Sequence, residues 1–406
     1  MKFLFLVQYF PPEIGAAPVR LWQTAKSLIE LGHQVEVITS VPNYPTGKIF
    51  PDYKGKFYCT EQLGAIKVHR VWTYPAIGAG INRMLNYISF FVTSLWCLFK
   101  VSKFEYIFVE SPPPTLMIAA KVFSTSHKAK VILNLSDLWP DTPRLLGMMK
   151  PGVMLTLAEK LEVWCYSVAD FISTVTEGLL SELRSKKGIN KNKLLFLPNG
   201  VDLGLFGSVT LDQEARDKIT RGDFVFLYAG THSLGASMET IIRSAQILRD
   251  EKIKFLFVGD GPVKNDLIEL SRSLGLNNCE FLDPVPPEKV ALLYEASFAG
   301  VSSLRNSPLF EGTRPAKIFA CMGAGRPIIY SGSGEGARLV EDAQAGLVVP
   351  PEDPIGLANA ILGLTRNTEH ARQLGRNGRK FVEDRFSWSV LVKAWIDDLL
   401  IKDGRI

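Results

Sequence analysis

The feature that most constrains this chain is an alternation. Apolar runs of strand length alternate with periodic segments of helix length through all 406 residues. Strands are expected at 2–8, 34–39, 66–72, 105–109, 130–135, 170–175 and 193–197, with long amphipathic segments at 16–32 and 153–168. In the second half, FVFLYAG, KFLFVGDG, CEFLDPV, FAGVSSL, RPIIYSG and AGLVVPP read as strands. Helical stretches at 237–249, 262–274, 287–296 and 355–383 separate them. Strand, helix, strand in that order means crossover connections, and crossovers build parallel sheets. The chain is too long for one compact core, so the expectation is an α/β protein of two doubly wound domains. LPNGVDLGLFG (197–207) has the Pro and Gly content of a join. The domains are therefore expected at 1–200 and 208–385, with a linker at 198–207. The last helical segment, WSVLVKAWIDDLLIKDG, is free to cap either one.

Charge is uneven. Residues 1–200 carry 22 Lys and Arg against 14 Asp and Glu, while the chain as a whole is only +5. A basic first half suits an anionic partner such as a membrane surface or a phosphorylated lipid, and equally suits lysines solvated on helix surfaces. MLNYISFFVTSLWCLF (84–99), flanked by Arg83 and Lys100, is shorter than the ~20 apolar residues of a spanning helix. It reads first as a buried or half-buried helix, and second as a helix lying in a membrane interface. The five cysteines are scattered and never in CxxC spacing, which fits a reducing compartment and argues against a zinc site or disulfide framework. The apolar N-terminus is too short for a signal peptide and reads as a first strand. These features place the chain in the cytoplasm, with peripheral contact at the inner face of the cytoplasmic membrane as an expectation.

In open α/β sheets ligands bind beyond the carboxyl ends of the strands, so each strand exit is informative. FPPEIGAAPVR places Gly15 before a helix start, where free N–H groups and the helix dipole favour an anion. The same residues also suit a plain helix start after two prolines. VGDGPVKNDL turns on Gly259, Asp260 and Gly261 without completing GxGxxG, so a nicotinamide fingerprint is not supported. LNLSDLWPDTPR brings Asp137 and Trp139 to a strand exit, as a cleft wall or a helix cap. EGTRPAKIFACMGAGRPIIY (311–330) puts Arg314 and Lys317 at a helix start, where positive charge is unfavourable unless an anion is bound. A diphosphate suits one guanidinium and one ammonium. The chain shows no HExxH, no clustered Cys/His set and no nucleophile elbow, so basic residues are expected to stabilise charge, with no metal.

Taken together and in order, PPEIGAAPVRLWQTAKSLIELGHQVEVIT, DLWPD, LPNGVD, FVGDGP, PAKIFACMGAGRPII and GEGARLVEDAQAGLVVPPEDP resemble the retaining, metal-independent glycosyltransferases of the GT-B fold. Enzymes of bacterial surface-polysaccharide assembly are the nearest in character. The resemblance implies two Rossmann-like domains facing across a cleft, with the C-terminal helix (about 386–406) crossing back onto the first. It implies a nucleoside-diphosphate sugar as donor, no cofactor and no nucleic acid partner. The acceptor would be a glycan, often linked to polyprenyl diphosphate. Gly15 would lie against the donor diphosphate, with Arg314 and Lys317 neutralising it. Gly230, His232, Gly259, Asp260, Gly261, Val285, Glu311, Gly312 and Thr313 would surround the donor. Asp137, His69 and Trp139 would face the acceptor, Asp137 as a catalytic group.

Two departures stand out. The family's paired glutamates, eight residues apart, fall on Gly312 and Ala320, with Glu311 one residue early. Losing a carboxylate–diol contact weakens donor binding by ~1.5–3 kcal/mol. The segment YAGTHSLGASMET has Thr231, His232 and Ala236 where relatives often carry Arg and Lys. A sugar-nucleotide epimerase of the same fold, and a catalytically silent relative that binds nucleotide or a partner enzyme, are the alternatives.

Overall fold

The computed structural model describes residues 1–76, 78, 80–141, 144, 152–207 and 211–406, and it divides into two compact units. The first comprises Met1–Pro198 and Leu391–Ile406, and the second Asn199–Val390.

The first unit is built on β1 (Lys2–Leu6), β2 (Gln34–Ser40), β3 (Tyr58–Leu63), β4 (Ile66–Val71), β5 (Tyr106–Ser111), β6 (Lys130–Leu135), β7 (Phe171–Thr174) and β8 (Leu194–Phe196). They form one sheet in the order β3-β4-β2-β1-β5-β6-β7-β8. Every pairing is parallel except β3 with β4. That antiparallel edge strand is a departure from the all-parallel expectation. TEQ at its centre alternates between half-buried and exposed positions, so no apolar run marks it. The helices are α1 (Ala16–Glu30), α2 (Ile81–Ser94), α3 (Leu116–His127), α4 (Val153–Val168) and α5 (Glu177–Ser185). Of these, α3 and α5 went unread in the sequence.

Side chains alternate across the sheet, as strand geometry requires. Leu4, Leu6, Ile107 and Val109 pack with Phe90 of α2, Phe123 of α3 and Tyr166 of α4 on one face. Phe5 and Phe108 stack on the other, where Trp395 of the last helix meets Phe108 edge-on at 5.8 Å.

In the second unit, after α6 (Gln213–Thr220), come β9 (Phe224–Ala229), α7 (Met238–Ile247), β10 (Ile253–Val258), α8 (Lys264–Ser273), β11 (Cys279–Leu282) and α9 (Pro287–Ala296). They are followed by β12 (Ala299–Ser303), α10 (Ala316–Gly323), β13 (Ile328–Ser331), α11 (Gly334–Asp342) and β14 (Gly346–Val349). The sheet is parallel in the order β11-β10-β9-β12-β13-β14. Phe226 and Tyr228 join one core while Val225 and Leu227 join the other, so β9 is buried on both faces. The expected helix over 355–383 is two, α12 (Pro354–Arg366) and α13 (Thr368–Arg385). They break at Asn367, whose side chain caps α13 by accepting from the His370 N–H. The last helix, α14 (Trp388–Lys402), ends on the first unit, where the Trp395 indole N–H donates to Ser173 Oγ at 3.2 Å.

Strand order reverses beside β1 in the first sheet and beside β9 in the second. Such switch points open a crevice at the strands' carboxyl ends, so the loops that follow β1 and β9 are where a ligand is expected.

Candidate functional site

In the second unit the loops leaving β9 and β10 meet backbone to backbone. Gly259 has φ 142°, and a Cβ there would lie 2.1 Å from the Gly230 carbonyl oxygen. A Cβ on Gly261 would lie 2.3 Å from the His232 carbonyl oxygen. Only glycine lets these turns close so far, and the His232 N–H completes the contact by donating to the Asp260 carbonyl at 2.9 Å. Asp260 is exposed, and its carboxylate accepts from the Gly261 N–H at 2.8 Å.

Lys317, in the first turn of α10, reaches back over this pair of turns. Its Nζ stands 4.6 Å from the Tyr228 ring centroid, and a Cβ on Gly230 would meet its Cε at 3.0 Å. No acidic residue shares the first turn of α10, and Lys317 forms no ion pair among the described residues. A half-buried ammonium above an aromatic face, beside free N–H groups of a helix start, is suited to an anion.

Arg314 is placed differently. Its guanidinium Nε lies 2.7 Å from Glu335 Oε2, with Glu335 buried and Arg314 half-buried. Glu335 sits in the first turn of α11, where the helix dipole favours a carboxylate. The Glu335 N–H donates to the Glu311 carbonyl at 2.7 Å, and Ser333 Oγ donates to Glu311 Oε1 at 2.6 Å. Glu311, Gly312 and Thr313 thus form a loop tied to α11. The cation that the sequence reading set beside Lys317 already has an internal counter-charge.

His232 is wholly buried beside Tyr228 and Phe281, and among the described residues neither ring nitrogen has a hydrogen-bond partner. Burial, reinforced by the positive charge of Lys264, lowers its pKa to about 4. It is a neutral imidazole at neutral pH. Val285 lies half-buried past β11 and packs on the second unit's core, away from the β9 exit in strand order.

In the first unit Gly15 caps α1, and a Cβ there would stand 3.1 Å from the Tyr44 ring. The preceding loop is held by a residue that the sequence reading passed over. Glu13 is buried and accepts the N–H groups of Asn43 and Tyr44 at 2.9 Å and of Phe10 at 3.2 Å. Burial raises its pKa to about 7 against the pull of those donors. Beneath α1, Arg20 pairs with Glu110 of β5, and Asn134 of β6 donates to the same carboxylate at 2.5 Å. These groups were invisible as a set because their positions in sequence are far apart.

Asp137 follows β6, half-buried, with its carboxylate accepting the Leu138 N–H at 2.9 Å, and Trp139 beside it is also half-buried. His69 needs correcting. It is wholly buried in β4, with Nε2 2.8 Å from Glu36 and Nδ1 2.8 Å from the Tyr58 hydroxyl. A ring with both nitrogens occupied inside the sheet presents nothing to an acceptor. Among the described residues no group of three or more His, Cys, Asp or Glu is placed to hold a metal ion.

Two family models cover most of the chain. Residues 15–200 match the glycosyl transferase 4-like domain, and residues 223–367 match the glycosyl transferases group 1. The chain is a glycosyltransferase, a 4-like domain followed by a group 1 domain. Among relatives of this glycosyltransferase is the putative colanic acid biosynthesis glycosyl transferase WcaI of Escherichia coli, 28% identical over 69% of this chain and 71% of that one. The O-antigen chain mannosyltransferase C of Escherichia coli is 23% identical over 96% of this chain and 95% of its own. The structure of HepE from Anabaena in complex with UDP-glucose superposes with a TM-score of 0.71 at 15% identity, covering 98% of this chain and 99% of that one. That likeness identifies the GT-B fold.

Proposed function

We propose that this glycosyltransferase moves a sugar from a nucleoside-diphosphate donor to a lipid-linked glycan acceptor in cell-surface polysaccharide synthesis, with retention and without a metal. The observation that carries the donor assignment is the Lys317 ammonium, unpaired among the described residues and poised over Gly230 and the Tyr228 face where two glycine turns close. The names of WcaI and the O-antigen mannosyltransferase support the polysaccharide assignment, and the UDP-glucose bound by HepE supports the donor class.

In this reading the donor diphosphate lies beyond the carboxyl ends of β9 and β12, with Lys317 and the α10 N–H groups against its oxygens. The bond from the sugar's anomeric carbon to the diphosphate oxygen breaks, and that oxygen keeps the electron pair. The acceptor hydroxyl bonds to the anomeric carbon on the face just vacated, and its proton passes to the departing diphosphate. The chain's main contribution is to stabilise charge on the leaving group, so Lys317 is the catalytic residue. Arg314, held by Glu335, positions the loop 311–314. Ala320, half-buried on α10, offers no carboxylate to the ribose, so donor affinity rests more heavily on the phosphate contacts.

The test is a thermal-shift panel of UDP-, GDP-, ADP- and dTDP-sugars with and without chelator. One nucleotide series is expected to raise Tm, chelator is expected to leave the shift intact, and Lys317→Ala is expected to remove it. A folded protein that no nucleotide sugar stabilises would instead be a silent relative.

A further inference from the structure

Helix α2 is apolar on its outer face as well as on the face that covers the sheet, where Phe91 packs on the core with Phe90. Its inward face carries Asn86, Thr93 and Ser94 alongside Phe90, all buried. Asn86 donates to the Tyr74 carbonyl at 2.7 Å and accepts from Gln8 at 2.8 Å, while Thr93 donates to the Trp72 carbonyl at 2.7 Å. Its outward face, continued through the turn at Leu95–Cys97, carries Ile81, Met84, Ile88, Val92, Trp96 and Phe99. Their spacings of three and four residues put them on one line. Ile81 is 78% exposed, Trp96 56% and Phe99 92%.

The charge around this stripe is of one sign along the chain. No acidic residue occurs between Glu61 and Glu105; of the bases there Arg70 is buried against Glu61, and Lys67, Arg83, Lys100 and Lys103 remain. At the end of the stripe Phe57 meets Trp96 edge-on at 5.9 Å, and Lys100 Nζ lies 4.8 Å from the Tyr58 ring and 5.6 Å from that of Trp96. Beside it a cavity of about 510 Å³ is lined by Lys2, His33, Lys67 and Lys100. Glu36, also in that lining, is already engaged by His69 and Ser102. A line of apolar side chains ending in aromatic rings and lysine ammoniums matches the boundary between acyl chains and anionic headgroups. No helix of the described residues is long and apolar enough to cross a membrane, so the fit is to lying on one.

We propose that the α2 face docks on an anionic lipid surface, with the helix in the plane of the headgroups. This rests on the lipid-linked acceptor reading and gives it a location. The amino end of α2 reaches the exit of β1, where Arg83 donates to the Tyr9 hydroxyl at 2.5 Å, so the docked face leads from the lipid to the loop that carries Gly15.

The full chain is mixed with vesicles of phosphatidylglycerol and phosphatidylcholine, or of phosphatidylcholine alone, and pelleted. Partitioning is expected to be about tenfold or more higher on the anionic vesicles and to fall with salt. Val92→Glu and Trp96→Glu each lower it by about tenfold or more, and Phe99→Ser, at the most exposed position, lowers it with the least risk to folding. The same samples report the nucleotide-sugar thermal shift. Unchanged shifts with lost pelleting support the docking face. Equal pelleting of variants and wild type, or none by the wild type, overturns it and leaves the donor reading intact. A concentration-dependent dimer that Val92→Glu dissolves, without vesicle binding, also overturns it and assigns the stripe to a second copy. Vesicle binding with no shift from any nucleotide sugar keeps the docking face and removes the donor reading.

Discussion

The two cations of the 311–330 segment do different work, and their substitution separates them. Glu335→Gln leaves the half-buried Arg314 beside a neutral amide. Breaking a buried pair in this way costs about 3–5 kcal/mol, so urea unfolding of the second unit is expected at markedly lower denaturant. Lys317→Ala is expected to leave that midpoint nearly unchanged while abolishing the donor shift. His232 makes a prediction in pH. Its folded pKa, about 4, lies below the ordinary 6.5, so as pH falls through 6.5 the unfolded chain takes up a proton that the folded chain refuses. Stability is therefore lost with falling pH between about 6.5 and 4, by roughly 3 kcal/mol for this group. His232→Gln should flatten that part of the stability–pH curve, and an unchanged slope would place its origin elsewhere.

At the scale of elements, the turn between β10 and α8 leaves no room for a side chain at Gly259. Gly259→Ala adds a methyl group 2.1 Å from the Gly230 carbonyl oxygen, at a φ that L-residues rarely adopt. The two turns are forced apart, and the expected outcome is a folded protein with lower Tm and no donor shift. Positive φ alone accounts for roughly 1 kcal/mol, and the backbone clash adds to it. A variant with native Tm and native donor shift would show that the turns separate without consequence. Helix α1 is likewise anchored through its own Arg20 to Glu110 of β5, close to its Gly15 end.

At the scale of the whole molecule, the last helix links the two ends of the chain. It begins at Trp388, in the stretch assigned to the second unit, and from Leu391 onward belongs to the first. There Trp395 is 1% exposed against Phe108 and Phe3, and beyond it Asp403 accepts from the Tyr106 hydroxyl at 2.5 Å. Trp395→Ala is expected to lower the stability of the first unit by about 3–5 kcal/mol. The donor shift, which reports the second unit, should persist in the same sample.

Much of this was legible in the sequence, for reasons that differ by element. Strands such as FVFLYAG and KFLFVGDG are buried on both faces, and a parallel sheet demands continuous apolar runs that a reader can see. The α/β class, the pair of doubly wound sheets and the family followed from those runs and from the order of short motifs between them. Strand β3 escaped because an edge strand needs only half its residues apolar. Helix α2 was visible as a helix, but which of its faces is buried depended on Gln8, Trp72 and Tyr74, which share no local pattern with it. The partner of Arg314 and the enclosure of His69 and His232 depended in the same way on residues brought close only by folding. Local chemistry is written in consecutive residues, whereas counter-charge and burial are properties of neighbours in space, and only the tertiary structure decides those.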